Sequence, residues 1–284
     1  MLLKAWHISR RHAALRIKLK CLCSQGCLGE LTTNTVQILP ITGLPLIQPG
    51  DNLGKMITDA AKKQGTPIQL HDVIVVTHVV VSKAEGNIIN LDEVKPSQRA
   101  IELAKQTNKD PALVEVILQE TREIVRVGQN SIITESRNGC VSANAGVDRS
   151  NVAGERNVVP LPKDPNGSAA FIRQEIMRNA DVLEVAVIVS DTHGRPFRNG
   201  EINIAIGYAG FKPIRDRRGE KDLFGYTLRI KQTAIADELA SAAELVMGQA
   251  DEGVPAAIVR GYNYTADETQ TTQLIRLKEK DLFR

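Results

Sequence analysis

Asp72-Val73-Ile74-Val75-Val76-Thr77-His78-Val79-Val80-Val81 decides the fold. Nearly every residue is apolar and most are β-branched. A run of this kind has no polar face, so it reads as one strand buried on both sides over 72–81. A second run, Val182-Leu183-Glu184-Val185-Ala186-Val187-Ile188-Val189-Ser190, reads the same way and ends at Asp191-Thr192-His193-Gly194. Two doubly buried strands require cover on both faces of a sheet.

Working outward, Val36–Leu39, 202–208 and 256–260 supply shorter strands. Helices lie between them. Asp51 is a cap for a helix with Leu53, Met56, Ile57, Ala60 and Ala61 at helical spacing. Pro96 starts another, and Asp110-Pro111 forms a cap and first-turn pair for a third. Ser168 caps a helix to Asn179, and residues 234–247 form an Ala-rich one. The stretch 130–150, rich in Asn, Gly and Ser, reads as loop with short strands. No regular βαβ alternation appears, so the class is α/β or α+β with mixed sheets and flanking helices. The strand order is left open.

Among the 284 residues, 42% are hydrophobic and 4% aromatic, so aliphatic side chains must build the core. No apolar run approaches the roughly 20 residues of a membrane helix. Residues 1–34 hold Lys4, Arg10, Arg11, Arg16, Lys18 and Lys20 against Glu30 alone; the other 250 residues carry 30 basic and 32 acidic groups. A body so balanced gives no reason to expect nucleic-acid binding. Cys21, Cys23 and Cys27 fall in the leader and only Cys140 in the body, which is not a disulfide scaffold and fits a reducing cytoplasm. Residues 1–34 read as a disordered leader or a misassigned start, and residues 35–284 as one domain.

The familiar nucleotide motifs are absent. Gly50 to Gly54-Lys55 has three intervening residues where a P-loop needs four, and no Gly-x-Gly-x-x-Gly occurs. Other segments could carry chemistry. Gly43, in Ile41-Thr42-Gly43-Leu44-Pro45, lets backbone N–H groups approach a ligand, unless the segment is a simple turn. Lys83 and Ser82, in Val81-Ser82-Lys83-Ala84-Glu85-Gly86, read as phosphate donors at a strand end, or as a solvated strand end. Asp148 and Asn151 offer oxygen ligands suited to Mg²⁺ or Mn²⁺, although any Asx-rich turn looks alike. Ser190-Asp191-Thr192-His193-Gly194 delivers a carboxylate and a hydroxyl, or simply ends a strand. Gln249 sits between Gly248 and Gly253; His193, lacking a partner, receives no role; and the basic run Lys212–Lys221 reads as a solvated loop.

Taken together and in order, these segments resemble the coenzyme F420-0:L-glutamate ligase (F420-0:gamma-glutamyl ligase) family. The resemblance rests on Gly43-Leu44-Pro45-Leu46-Ile47, Val81 to Gly86, Asn144 to Asp148 with Ser150-Asn151, Asp164-Pro165-Asn166-Gly167-Ser168, Ser190 to Arg195 and Lys221-Asp222-Leu223-Phe224-Gly225. Ala236-Asp237-Glu238-Leu239, Met247-Gly248 and Val259-Arg260-Gly261 extend it over residues 36–262. It implies that family's fold and a GTP-dependent ligase. Such an enzyme adds L-glutamate to the lactyl carboxylate of coenzyme F420-0 through an acyl phosphate, and then a further γ-linked glutamate.

By the family's pattern, GTP is expected at Ile41, Thr42, Gly43, Leu44, His78, Val79, Lys83, Asn151 and the loop Met247, Gly248, Gln249, Ala250, Asp251, Glu252, Gly253 and Val254. The resemblance implies Mg²⁺ or Mn²⁺ at two sites: Asp148 and Asp191 for one ion, Thr192 and Gln249 for the other. Lys83, Asp148 and Asp191 are the expected catalytic residues. K⁺ as an activating ion, a homodimer and a cytoplasmic location complete the expectation, with neither nucleic acid nor membrane as partner. Two departures stand out. His78-Val79 replaces small hydroxyl residues, which implies backbone contact only, and Gln249 replaces an acid found in some relatives. The rival readings are a ligase of the same fold with another carboxylate acceptor, and a non-catalytic GTP-binding protein.

Overall fold

A computed structural model describes residues 35–282; the expected leader lies outside the described residues. The strands are β1 (Gln37–Ile41), β2 (Val73–Thr77), β3 (Ile89–Asn90), β4 (Thr121–Val127), β5 (Ile132–Ser136), β6 (Val141–Ala143), β7 (Asn157–Val158), β8 (Ala186–Arg195), β9 (Arg198–Phe211), β10 (Ile214–Asp216), β11 (Gln232–Ala234), β12 (Ala256–Arg260) and β13 (Ala266–Asp267). The helices are α1 (Leu53–Lys63), α2 (His78–Ala84), α3 (Gln98–Thr107), α4 (Pro111–Glu120), α5 (Pro165–Ala180) and α6 (Ile235–Met247). None of the described helices is long and apolar enough to cross a membrane.

The main sheet has six strands in the order β1-β12-β2-β8-β9-β13. Only β2 and β8 run parallel; the other neighbours are antiparallel. Alternate residues of each strand face opposite layers, as the period of two requires. Ile74, Val76, Val187, Val189 and Ile258 pack toward α1 and α5, where Ile57, Ala61, Ile172 and Ile176 meet them. Val73, Val75, Ala186, Ile188 and Val259 pack toward Leu239, Ala240 and Ala243 of α6. The sheet is therefore covered on both faces, as its central sequences demand. A smaller lobe of α3, α4 and the three-stranded sheet β4-β5-β6 has cores of its own around Val116, Ile117, Val147 and Val158, and around Ala104, Val114 and Ile132.

The expected strand over 72–81 stops at Thr77. His78 opens α2, in which Val80, Val81 and Ser82 are buried. β-branched residues prefer strands only weakly, and packing against the core overrides that preference here. The second run is displaced the other way. Its strand begins at Ala186, and Asp191 to Arg195 continue it into a hairpin with β9 instead of ending it. The first strand, expected over Val36–Leu39, runs on through Pro40 and Ile41 as β1. That strand lies at the sheet edge, where a missing N–H is tolerated.

Caps are corrected as well. Asn52, not Asp51, accepts from Lys55 N at 3.0 Å, and Ser97 caps the helix after Pro96. Asp164, not Ser168, accepts from Gly167 N at 3.0 Å to start α5. Asp110 caps α4 as the sequence indicates. A buried anchor joins the residue before β2 to the last residue of β12. Asp72 is 1% exposed and takes a bidentate pair of bonds from Arg260, Nε at 2.9 Å and the terminal nitrogen at 2.7 Å.

Candidate active site

The parallel register of β2 and β8 places Thr77 opposite Ser190. The next residues, His78 and Asp191, therefore emerge side by side at the end of the parallel pair, where open α/β sheets present ligand sites. A bulge assists. Val189 pairs with Gly207 but Ser190 with Ala205, so Ile206 is an extra residue on β9 immediately before Asp191. Asp148 comes from another direction. It follows a turn in which Asn144, Ala145 and Gly146 all have left-handed φ, of 55°, 56° and 68°. Its backbone is then fixed by paired bonds with Val159 at 2.9 and 2.8 Å.

These three side chains converge. His78 Nε2 lies 2.9 Å from Asp148 Oδ2 and 3.2 Å from Asp191 Oδ1. His193 Nε2 lies 2.8 Å from Asp191 Oδ2. The His78 side chain is 3% exposed and that of Asp191 7%, whereas Asp148 opens to solvent at 39%. Burial is the largest influence on His78 and opposes its charge, but the combined pull of Asp191 and Asp148 outweighs it and raises the pKa to about 10. For Asp191, burial again opposes charge and the neighbouring His78 and His193 prevail, holding the carboxyl far below the ordinary carboxylate range. Among the described residues, His78, Asp148 and Asp191 form a group whose ligand atoms all lie within 4.8 Å of one another.

This pairing has a pH signature. The His78 contribution to stability is whole below its ordinary value of 6.5 and is lost as pH rises through about 10. The Asp191 contribution is present above its ordinary 3.8 and is lost as pH falls through its depressed value. Without added metal, melting temperature should therefore fall between pH 6.5 and 10 in the parent and stay flatter in His78→Asn. Parallel melting curves for the two proteins would contradict the pairing.

Around this core lies one cleft. It is lined by Leu44, His78, Val79, Lys83, Asp148, Asn151, Asp191, Thr192, Met247, Gly248, Gln249, Ala250, Glu252, Gly253 and Val254 among the expected residues. Four others do not line it. Ile41 is wholly buried in β1, the amide and hydroxyl of Thr42 are spent on Gln64 Oε1, Gly43 turns the chain at φ 76°, and Asp251 faces outward. Lys83 sits on α2, not at a strand end, and donates to the Asn151 carbonyl; burial lowers its pKa. Ser82 is not free for a ligand, because its hydroxyl donates to Pro160 O at 2.8 Å.

His78 contributes its side chain to the centre of the cluster. One sequence expectation fails here. His193 does have a partner. It lies two residues beyond Asp191 on a continuing strand, hence on the same face, a signal available only to a reader who extends β8 past Asp191. Asn203 and Ser150 also line the cleft. Asn203 pairs with Thr192 across the β8–β9 ladder, a long-range match that no local pattern announces.

Perturbed ionisable groups gathered in one cleft at a sheet's end are the mark of an enzyme. Residues 42–261 match the profile of the F420-0:Gamma-glutamyl ligase family, and the chain belongs to that family. It is 49% identical over 251 residues to a protein of Methanothermobacter thermautotrophicus named coenzyme F420:L-glutamate ligase, covering 88% of this chain and 99% of that relative. A protein of the same name from Methanocaldococcus jannaschii is 49% identical over 243 residues, covering 85% of this chain and 94% of its own. Another, from Haloarcula marismortui, is 39% identical over 255 residues, covering 88% and 96%.

Proposed function

We propose that this chain is a GTP-dependent ligase that joins L-glutamate to the lactyl carboxylate of coenzyme F420-0 in the cleft around His78, Asp148 and Asp191. Family membership supports ligase chemistry on F420-0 and glutamate. The observation that carries the site is the convergence of two carboxylates, an imidazole and Lys83 on one cleft.

The donor set fits a divalent ion. Asp148 and Asp191 supply hard carboxylate oxygens, the ligand type suited to Mg²⁺ or Mn²⁺. The buried His78 Nδ1 has no hydrogen-bond partner, so all of that ring's polar contacts lie on the carboxylate side. Thr192 and Gln249 would hold a second ion. Such ions neutralise charge on the phosphate oxygens. Lys83 adds a positive charge, and Leu44, Val79, Asn151 and the loop from Met247 to Val254 enclose the nucleotide.

The chemistry is then positioning and charge neutralisation. A carboxylate oxygen of F420-0 attacks the γ-phosphorus of GTP, and GDP leaves. The amine of glutamate attacks the acyl carbon of the resulting acyl phosphate, loses a proton, and inorganic phosphate leaves. A second round on the new γ-carboxylate extends the tail. A homodimer, activation by K⁺ and a cytoplasmic location accompany this reading.

Incubation with GTP, Mn²⁺, L-glutamate and F420-0 should yield product heavier by one or more glutamyl units, with matching GDP, by mass spectrometry. GTP bound without product would redirect the search to another carboxylate acceptor. The ion site has its own readout. His78 holds a proton at pH 7 that an adjacent cation must expel, so Mn²⁺ binding should release about one proton. Calorimetry in buffers of different ionisation enthalpy measures this, and a buffer-independent heat would refute it.

A further inference from the structure

Thr192, Asn203 and Gln249 bring three oxygens together beside the carboxylate cluster. Thr192 Oγ1 lies 2.8 Å from Asn203 Oδ1 and 2.9 Å from Gln249 Oε1, although a hydroxyl has one proton to give. Glu244, in the last turn of α6, stands behind them. Its Oε1 accepts from Gln249 Nε2 at 2.6 Å, and its Oε2 accepts from the main-chain N–H of Asn203 at 3.0 Å. We propose that Glu244 is a positioning residue whose carboxylate bridges α6 to β9 and aims the amide oxygen of Gln249 into the cleft beside Thr192.

The argument is one of donors and acceptors. An ionised carboxylate only accepts, so it compels Gln249 to present its NH₂ group backward. The amide oxygen must then face Thr192. A second bond from Nε2 to Asn203 Oδ1, at 3.3 Å, and one from Ser241 Oγ to Asn203 O, at 2.7 Å, tie Asn203 into the same frame. The placement of Glu244 is otherwise unfavourable. A carboxylate near a helix C-terminus opposes the macrodipole, and α6 has no basic residue in its last turn to offset it. A side chain that costs helix stability yet holds two groups of the site in register has a reason to be there. The neighbouring turn is constrained too: Gly248 has φ 72°, a backbone conformation that L side chains rarely adopt.

The consequence for ligand binding rests on the proposal that Gln249 and Thr192 hold a second ion. Glu244→Gln keeps the shape but can itself donate, so the Gln249 amide is free to flip and turn its NH₂ group toward Thr192. Mn²⁺ titration followed by electron paramagnetic resonance should show the weaker of two sites reduced about 10–100-fold, with the stronger unchanged. Glu244→Asp, which still only accepts, should restore part of that loss. Gln249→Ala, taken alongside, should remove the weaker site altogether. Independently of any metal, the Gln249 side-chain NH₂ resonances should be protected from exchange in the parent and lose that protection in Glu244→Gln. Unchanged amide protection overturns the proposal. If protection is lost while Gln249→Ala leaves both ions bound, Glu244 positions Gln249 as argued and the second-ion reading alone fails.

Discussion

Asp191→Asn should lower glutamate addition about 10³-fold at saturating GTP, the scale of losing one preorganised charge contact at a reacting phosphate. The substitution keeps the shape, and an amide oxygen can still accept from Thr192 N, which lies 2.7 Å from Asp191 Oδ1 in the parent. What disappears is the charge. Asp191 is the member that both imidazoles address, His78 on one oxygen and His193 on the other. Mn²⁺ affinity should fall together with turnover, while circular dichroism stays native. Turnover near that of the parent would remove Asp191 from the chemistry. Asp148→Asn should be milder for stability, because the Asp148 carboxylate already faces solvent.

Gly207→Ala should cost about 3 kcal/mol or more by forced overpacking. Gly207 lies on β9 opposite Val189, beside the bulge. A Cβ at this position would sit 2.3 Å from the backbone oxygen of Pro165 and 2.4 Å from its carbonyl carbon. No rotamer change relieves a clash with backbone, so α5 would have to lift from the sheet. The same junction carries the bond from Tyr208 N to Asn166 Oδ1 at 3.0 Å, which lifting would break. At roughly 2–4 °C per kcal/mol for a domain of this size, the melting temperature should drop by about 6–12 °C. Gly194→Ala is the control, since nothing lies within 4 Å of its would-be Cβ and its φ is not left-handed. Equal melting temperatures for the two variants would contradict the close approach.

Much of the architecture was legible because it depends on local burial. The strand at 256–260 and the helix ending at Met247 appear where apolar content and spacing put them. The segments around Lys83, Asp148, Asp191 and Gln249 do meet in one cleft. The illegible parts share a cause: each depends on what a distant segment supplies. Val80 and Val81 look like strand until the core of α1 and α5 gives them a helical seat. Asp191 looks like a strand end until β9 arrives to pair with it. Asn203 and Glu244 have no signature at all, because their roles are set by residues 11 and 41 positions away along the chain.

Asp148 and Asp191 are rooted in different cores. Val147, next to Asp148, packs in the smaller lobe with Leu113, Val116 and Val158, whereas Asp191 extends the central strand of the main sheet. His78 touches both carboxylates and so works as a clasp between the two bodies of packing. An occupant that binds both carboxylates best when the two cores are in register tightens the seam, and whatever loosens the seam then weakens that occupancy by the same free energy. Hydrogen exchange in the small lobe, far from any reacting atom, should therefore report how full the site is.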